Sequence, residues 1–280
     1  MNWEASCAGS LWRERGENPR WRGSWWRAGG ARELWDGLVS LCFPPGELCE
    51  ICGRPVRASF LREYHGACDR CLARIPYVVP PFCERCGKPL RLVEGEKAIC
   101  WDCEAGGRFF RIARSVGIYD GVLREHLHAL KYRGQMRIAG PLGSLMAERA
   151  KAEPAMAGAE LILPVPLTPA RLEERGFNQA LLLARHAGRR LGLPVYEGTL
   201  LRKGVQLTQT ALSREERRAN VRGAFYVVRP GDIAGKNLIL VDDVFTTGAT
   251  ADECARALLR SGARRVDVLT VAVGVLIEPT

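Results

Sequence analysis

The sequence predicts an α/β protein in which a small cysteine-rich domain precedes a parallel-sheet domain. Two observations predict this arrangement. After residue 109, apolar segments of strand length alternate with segments of helix length, which is the pattern of a parallel sheet with right-handed crossovers. Before it, eight cysteines form C-x-x-C pairs within residues 49–103. We therefore expect domains over residues 34–108 and 109–280, behind an N-terminal segment of residues 1–33.

Composition and charge narrow the classes of function. The 280 residues are 47% hydrophobic, which suffices for a packed core and for two domains. No run of about 18 apolar residues occurs, so we expect no membrane span. The N-terminus lacks an apolar signal core, so we expect a cytoplasmic protein. The formal net charge of +10 fits a partner that carries phosphate.

The N-terminal segment, residues 1–33, combines tryptophan and arginine without a sustained period. We expect it to be a disordered extension, or the product of an upstream start codon that is not used. The alternative is an arm that binds single-stranded nucleic acid, because interleaved aromatic and basic side chains supply stacking and charge.

The cysteine pairs are typical of structural zinc sites. They are Cys49/Cys52, Cys68/Cys71, Cys83/Cys86 and Cys100/Cys103. In a chain without an export signal, this spacing indicates metal binding rather than disulfides. Four thiolates leave no open position on Zn²⁺, so we expect two structural sites. The simplest assignment is sequential, with the first four cysteines on one ion and the last four on another. The spacing does not exclude an interleaved pairing.

The elements of the second domain follow from hydrophobic period and from glycine and proline punctuation. The predicted strands are 111–119, 161–166, 224–228, 238–243 and 266–273. The predicted helices are 123–132, 138–151, 178–191 and 250–261. The strand over 238–243 has no polar alternation, which favours a position covered on both faces.

The most informative stretch is the end of the 238–243 strand. Asp242 and Asp243 lie where open α/β sheets bind ligands, and two adjacent acids there are costly unless something neutralises them. The short-chained loop that follows can close its backbone N–H groups around an anion, and the next helix adds the positive end of its dipole. This predicts a phosphate in the loop and a polyol or a metal ion on the acids. The plainer alternative is a surface turn that carries two acids.

The order of the motifs resembles a known family. The cysteine pairs are followed by Leu-Lys-Tyr-Arg-Gly at 130–134, Pro-Val-Pro-Leu at 164–167, Arg-Gly-Phe-Asn-Gln at 175–179, and the acid pair with Val-Phe-Thr-Thr-Gly-Ala-Thr at 244–250. The acid pair and its loop resemble the phosphoribosyl-pyrophosphate (PRPP) signature of type I phosphoribosyltransferases. The whole order, over about residues 35–275, resembles the ComF family, bacterial proteins with an N-terminal zinc ribbon and a C-terminal phosphoribosyltransferase-like domain.

The resemblance implies roles for particular residues. Asp242 and Asp243 would be the catalytic acids, which hold the ribose hydroxyls and help to place Mg²⁺. The residues implied in substrate binding are Val244, Thr246, Thr247, Gly248, Ala249, Thr250, Val165, Leu167, Thr168, Arg171, Arg175 and Arg218. Backbone N–H groups of 165–168 would hold pyrophosphate. A proline-stiffened strand end at 164–166 and a solvated charged face around Arg218 remain the alternatives.

Two functions follow from the resemblance. The first is a competence protein that assists the uptake of single-stranded DNA through its PRPP-binding domain, with a helicase as partner. The second is an active Mg²⁺-dependent phosphoribosyltransferase that acts on an unidentified nucleobase or amine acceptor. The sequence identifies neither the acceptor nor the oligomeric state.

Overall fold

The computed structural model describes residues 47–56, 66–91, 98–204 and 221–275. Its strands are β1 (Glu47–Leu48), β2 (Pro55–Val56), β3 (Ala113–Ile118), β4 (Leu161–Pro164), β5 (Leu200–Arg202), β6 (Phe225–Val227), β7 (Asn237–Phe245) and β8 (Arg265–Val273). Its helices are α1 (Asp69–Ala73), α2 (Trp101–Glu104), α3 (Gly121–Tyr132), α4 (Ala139–Lys151), α5 (Pro169–Arg175), α6 (Gln179–Leu191) and α7 (Ala249–Arg260). The predicted N-terminal extension, residues 1–33, and Arg218 lie outside the described residues.

Four parallel strands form the central sheet of the described residues, in the order β3-β8-β7-β4. β7 is an inner strand, because it pairs with β8 on one side and with β4 on the other. The side chains of residues 238–241 are buried, as the apolar run predicted. This confirms the predicted parallel α/β class, and it places the acid pair in the middle of the sheet.

The two faces of the sheet have different covers. The side chains of Ile239 and Val241 pack with helices α3, α4 and α6. The side chains of Leu238 and Leu240 pack with α7, with the antiparallel β5–β6 pair and with cysteines of the last C-x-x-C pairs. Successive residues of a strand point to opposite faces, so neighbouring residues of β7 have different surroundings.

The cysteine-rich segment is seated on the sheet. The described residues all belong to one compact unit. The Cys83–Cys86 turn docks on the start of β3, where Ala113 N–H donates to Arg85 O at 2.7 Å. Gly87 completes the turn at φ +70°, and a Cβ there would lie 2.7 Å from Ala113 O, so this approach requires glycine. The domain boundary between residues 108 and 109 remains a prediction.

Some element bounds differ from the predictions, and one difference matters for the site. β7 runs on to Phe245, so the acid pair lies inside the strand and not at its end. The reason is that β8 continues to Val273 and pairs with Val244 and Phe245. Helix α5 was not predicted; Thr168 caps it, and a proline begins it. Every helix among the described residues is too short or too polar to cross a bilayer.

Candidate functional site

Asp243 is a buried carboxylate with a cation beside it. It follows Ile239 and Val241 on the face covered by α3 and α6, and it is 5% exposed. Lys131, near the end of α3, forms an ion pair with Asp243 Oδ2, and Gln179 Nε2, at the start of α6, donates to Oδ1 at 3.2 Å. A buried charge persists in a core only when it is paired and hydrogen-bonded, so these two contacts explain how Asp243 is tolerated there.

Arg175 extends this contact into a network of three sequence motifs. Its Nη1 donates to Gln179 Oε1 at 3.0 Å, and its Nη2 donates to Tyr132 OH at 3.2 Å. The guanidinium also lies 5.0 Å from the centre of the Tyr132 ring. Tyr132 is the residue after Lys131 in α3, and Lys131 pairs with Asp243, so both ends of the network lead to Asp243. The guanidinium of Arg175 is engaged with protein groups in this structure, and its contact with a phosphate remains a prediction.

Sequence reasoning missed Lys131 and Gln179 as partners of Asp243. Both belong to the motifs that carried the resemblance, but Gln179 lies 64 residues from Asp243 in the chain. The contact depends on how α3 and α6 cross the sheet, and neither spacing nor periodicity contains that information. The signal that was available is the burial of the acid pair itself, which demands a partner.

Asp242 is half-buried on the opposite face of the sheet. It lines a small cavity with the loop residues and with one residue of β8; the lining comprises Asp242, Val244, Phe245, Thr246, Gly248, Ala249, Thr250, Ala251 and Thr270. Burial, followed by the charge of Asp243, raises the pKa of the Asp242 carboxyl well above its ordinary value of 3.8. A carboxyl whose charged form is destabilised in this way is stabilised by a cation or by hydroxyl donors, which a ligand would supply.

Arg202 lies on the same side of the sheet as Asp242, and Arg171 lies near Arg202. Arg202, in β5, has its guanidinium 5.3 Å from the centre of the Phe225 ring. Burial lowers the pKa of Arg202, the nearby charge of Arg171 lowers it further, and Asp242 opposes both. Two neighbouring cations on this side of the sheet favour an anionic ligand there. Arg202 was not among the residues predicted from the sequence.

The turn between β7 and α7 has the backbone features of an anion-binding loop. Gly248 has φ +78°, and a Cβ there would lie 2.5 Å from the Phe245 ring, so the position requires glycine. Thr247 Oγ1 accepts the Ala249 N–H at 3.3 Å. The N–H groups of Thr250 and Ala251, in the first turn of α7, have no acceptor within the helix and point toward its N-terminus, whereas Asp252 N–H donates to Gly248 O at 2.8 Å. An anion at this position would accept them.

The turn after β4 offers fewer amide donors than the sequence predicted. Val165 N–H donates to Val241 O at 2.9 Å as part of the sheet, so it is not free for pyrophosphate, and that part of the prediction is wrong. Leu167 and Thr168 remain as the predicted donors. Asn178 Nδ2 donates to Val165 O at 3.0 Å, while its Oδ1 accepts an N–H of the first turn of α6 at 2.9 Å. Asn178 therefore caps α6 and also links it by a hydrogen bond to the turn after β4.

The eight cysteines of the predicted pairs form two groups with the geometry of closed zinc sites. The first group is Cys49, Cys52, Cys68 and Cys71, the second is Cys83, Cys86, Cys100 and Cys103, and the sulfur atoms of each group lie within 4.8 Å of one another. Tetrahedral Zn²⁺ with Zn–S bonds of about 2.3 Å holds its sulfur atoms about 3.8 Å apart. The Sγ–Sγ distances of 3.8 Å for Cys52–Cys68 and 3.5 Å for Cys86–Cys100 fit that value. The structure has the sequential grouping and not the interleaved one.

Backbone N–H groups favour the thiolate form of the first cysteine in each group, Cys49 and Cys83. Cys68 N–H donates to Cys49 Sγ at 3.3 Å, and Cys86 and Cys100 N–H each donate to Cys83 Sγ at 3.4 Å. Burial raises the pKa of Cys49, but backbone donors from Cys52 and Cys68 outweigh it and lower that pKa to about 7. Thiolates are the ligands of Zn²⁺, so both the positions and the hydrogen bonds fit the ion.

Comparison with known proteins first defines the class. The family model of the double zinc ribbon domain matches residues 38–104. The chain is thus a double zinc ribbon protein with a parallel α/β sheet behind the ribbon and an acid pair in a central strand.

Relatives then define the family. The DNA utilization protein YhgH of Salmonella typhimurium is 32% identical over 227 residues, which cover 80% of this chain and 95% of that protein. The competence protein ComFC of Bacillus subtilis is 30% identical over 74% of this chain and 83% of its own length. The competence protein F of Haemophilus influenzae is 30% identical over 74% of this chain and 90% of its own. The chain belongs to this ComF family, as the motif order predicted.

Solved structures that resemble parts of the chain are more distant. The glutamine PRPP amidotransferase from Bacillus subtilis has 21% identity and a TM-score of 0.33, over 48% of this chain and 26% of its own. The purine phosphoribosyltransferase from Pyrococcus horikoshii has 18% identity and a TM-score of 0.30, over 49% of this chain and 73% of its own. The chain therefore spans about a quarter of the amidotransferase, and both likenesses concern the arrangement of strands and helices only.

Proposed function

We propose that the chain is a competence-type protein of DNA utilisation whose α/β domain binds PRPP or a related sugar phosphate. The names of its relatives support the role in DNA utilisation. One observation supports this choice of ligand. The Asp242 carboxyl, whose pKa is raised, and the amide-lined loop at the N-terminus of α7 line the same small cavity. Such a cavity offers one group for a sugar hydroxyl or metal ion and another for a phosphate.

The ligand would lie across the carboxyl ends of β4 and β7. In this proposal the ribose phosphate accepts N–H groups of the 246–251 segment, and Asp242 accepts a ribose hydroxyl. The pyrophosphate then lies toward Thr168 and Arg171, where Arg202 adds a second cation. Lys131 and Gln179 pair with Asp243 on the other face of β7, so the second acid of the pair is not left with an uncompensated charge.

Mg²⁺ would accompany the ligand. The ion prefers one or two carboxylates together with substrate phosphates and retained waters. Asp242 fits that requirement, because a cation beside it would offset the burial and the repulsion by Asp243 that together raise its pKa. Asp243 already has a cation in Lys131. When bound, Mg²⁺ would neutralise phosphate charge.

The cysteine groups would serve structure rather than reaction, since a site with four thiolates keeps no open position. We place the protein in the cytoplasm, where thiols stay reduced. Single-stranded DNA and a helicase are the macromolecular partners that we propose, and the net charge of +10 favours the first of these.

The second candidate is an active phosphoribosyltransferase. The observation that favours it is Arg202, which interacts with the charge of Asp242 and lies near Arg171, because departing pyrophosphate develops negative charge that cations stabilise. The acceptor would be a small nucleobase or amine. Both candidates share the binding site, and they differ in whether the bond to pyrophosphate is broken.

Three measurements on the full chain test these proposals. Calorimetric titration with PRPP, with and without Mg²⁺, is expected to show binding that depends on the metal. A pyrophosphate-release screen with candidate acceptors separates turnover from binding. A titration with single-stranded DNA at rising salt is expected to show affinity that falls steeply, by counterion release. Absence of PRPP binding by the wild type would reject the proposed ligand, and release of pyrophosphate would favour the second candidate.

A further inference from the structure

The segment that leads into β3 contacts the 246–252 region on both sides of the turn. Arg108 Nη2 donates to Thr247 O at 3.0 Å. The next residue, Phe109, donates its N–H to Asp252 Oδ1, in the first turn of α7, at 2.6 Å. Two successive residues of one segment therefore hold the loop and the start of the helix that follows it.

An aromatic contact joins the 108–110 segment to the last residue of β7, just before the loop. Phe110 is fully buried, and its ring meets the ring of Phe245 edge-on with centroids 5.8 Å apart. The Phe245 ring also packs closely on Gly248, since a Cβ at that position would lie only 2.5 Å from the ring. The 108–110 segment is thus packed against the end of β7 as well as hydrogen-bonded to the loop.

The 108–110 segment is in turn bound to the second cysteine group. Arg85, inside the Cys83–Cys86 turn, donates from Nη2 to Arg108 O at 2.8 Å. Cys83 and Cys86 also share one buried cluster with Phe110. A path of hydrogen bonds therefore leads from the C-x-x-C turn through Arg85 and Arg108 to the carbonyl of Thr247.

The hydrogen bond from Arg108 to Thr247 O fixes the direction in which the Gly248 N–H points. The peptide unit is planar and trans, so its C=O and N–H point in opposite directions. When Arg108 holds the carbonyl of Thr247, the N–H of Gly248 points away from Arg108. Gly248 lines the cavity of Asp242, so the arginine decides how the loop presents this donor. Arg108 itself is 9% exposed; its Nη2 is used by Thr247 O, and its guanidinium carbon lies 5.8 Å from the centre of the Phe110 ring.

We propose that Arg108 is a positioning residue that couples the second cysteine group to the loop at 246–248. Zinc in that group fixes the Cys83–Cys86 turn, the turn holds Arg108 through Arg85, and Arg108 orients the loop. The consequence for ligand binding rests on the proposed function, because the loop is the predicted phosphate site. The described contacts of the first cysteine group lie elsewhere: Glu50 of its C-x-x-C turn packs against Gly140 of α4.

Hydrogen exchange of the ligand-free full chain tests the coupling. We expect Arg108→Gln to speed exchange of the 246–251 amides about tenfold, since a hydrogen bond with a charged donor is lost. Arg256→Gln is the matched control: Arg256 lines the same groove as Arg108, but its described hydrogen bonds go to Glu253 and not to the loop. Equal exchange of this segment in the wild type and both variants would overturn the proposal.

Two cysteine variants test the role of the metal site. Cys100→Ser, in the second group, is expected to speed exchange at 246–251 more than in strands β7 and β8, whereas Cys52→Ser, in the first, is expected to leave exchange at 246–251 unchanged. An equal effect of both would show that loss of either site loosens the chain generally, contrary to the proposal. PRPP titration of Arg108→Gln is expected to show weaker binding. If the wild type binds no PRPP, the proposed function fails, while the exchange data still decide whether Arg108 holds the loop.

Discussion

The charged form of the Asp242 side chain lowers the stability of the ligand-free protein. Its pKa is raised above 3.8 by burial and by Asp243, so the folded state binds its proton more tightly than the unfolded state does. Stability therefore falls as the pH rises from 3.8 through the folded pKa, because the charged form is disfavoured in the fold. The residue is an unfavourable choice for stability alone, which is consistent with a binding role.

A prediction follows for the pH dependence of stability. We expect Asp242→Asn to unfold at a higher temperature than the wild type at neutral pH, since the amide carries no charge to bury. Below pH 3.8 both proteins have a neutral side chain here, and the difference is expected to vanish. Thermal unfolding of both proteins across this range measures it. A variant that is less stable at neutral pH would show that the Asp242 carboxylate is stabilising.

The charge of Lys131, in contrast, stabilises the folded protein, because it pairs with the buried carboxylate of Asp243. We expect Lys131→Met to destabilise the protein by about 3 kcal/mol, since Asp243 would be left buried without its cation. Lys151→Met is the control: the Lys151 pair with Glu148, at 3.0 Å, is exposed, and its loss is expected to cost about 0.5 kcal/mol or less. Denaturant unfolding compares the two. Equal losses would mean that the Asp243 pair contributes no more than a surface contact.

At the scale of elements, Asn178 joins a helix to a binding turn. Its Oδ1 caps α6, and its Nδ2 holds the carbonyl of Val165. We expect Asn178→Ala to cost about 1–2 kcal/mol, because the cap is lost. Asn178→Asp keeps the cap but removes the donor to Val165 O. It is therefore expected to retain more stability than the alanine variant while the amides of 165–168 exchange faster. Unchanged exchange in the aspartate variant would show that the side chain does not hold this turn.

The elements also show what the sequence can and cannot predict. The parallel sheet, its four strands, the four longer helices and the sequential cysteine groups were predicted, because hydrophobic period and ligand spacing are local properties of the chain. Helix α5 and strand β5 were not predicted. The extension of β7 to Phe245 was missed, since it depends on pairing with β8. The ion pair of Lys131 with Asp243 and the use of Val165 N–H in the sheet were missed for the same reason. In each case the deciding partner lies far away in the sequence.

At the scale of the whole molecule, the zinc ribbon and the sheet share a core. Cys83, Cys86 and Cys103 belong to the same buried cluster as Leu240 and Phe245 of β7. The first cysteine group forms a separate cluster of its own. Loss of the two metals is therefore expected to have different consequences, the second for the entire fold and the first for its own segment.

Metal analysis and unfolding test this difference. We expect about two zinc ions per chain, and we expect Cys100→Ser to lower the unfolding temperature of the whole chain more than Cys52→Ser does. Structural Zn²⁺ contributes on the order of 10 kcal/mol in small domains, so the loss of a site that shares the sheet's core should be large. Freshly purified protein without zinc, or equal effects of the two variants, would contradict this account.

The most direct test of the central claim is calorimetric titration of Asp242→Asn with PRPP and Mg²⁺. We expect the wild type to bind PRPP and the variant to bind it about tenfold or more weakly, because a charge-assisted contact to ribose or metal is removed. Asp120→Asn serves as the control, since asparagine preserves the N-cap of α3 and Asp120 does not line the cavity. Unchanged affinity in Asp242→Asn would contradict the assignment of this cavity as the binding site.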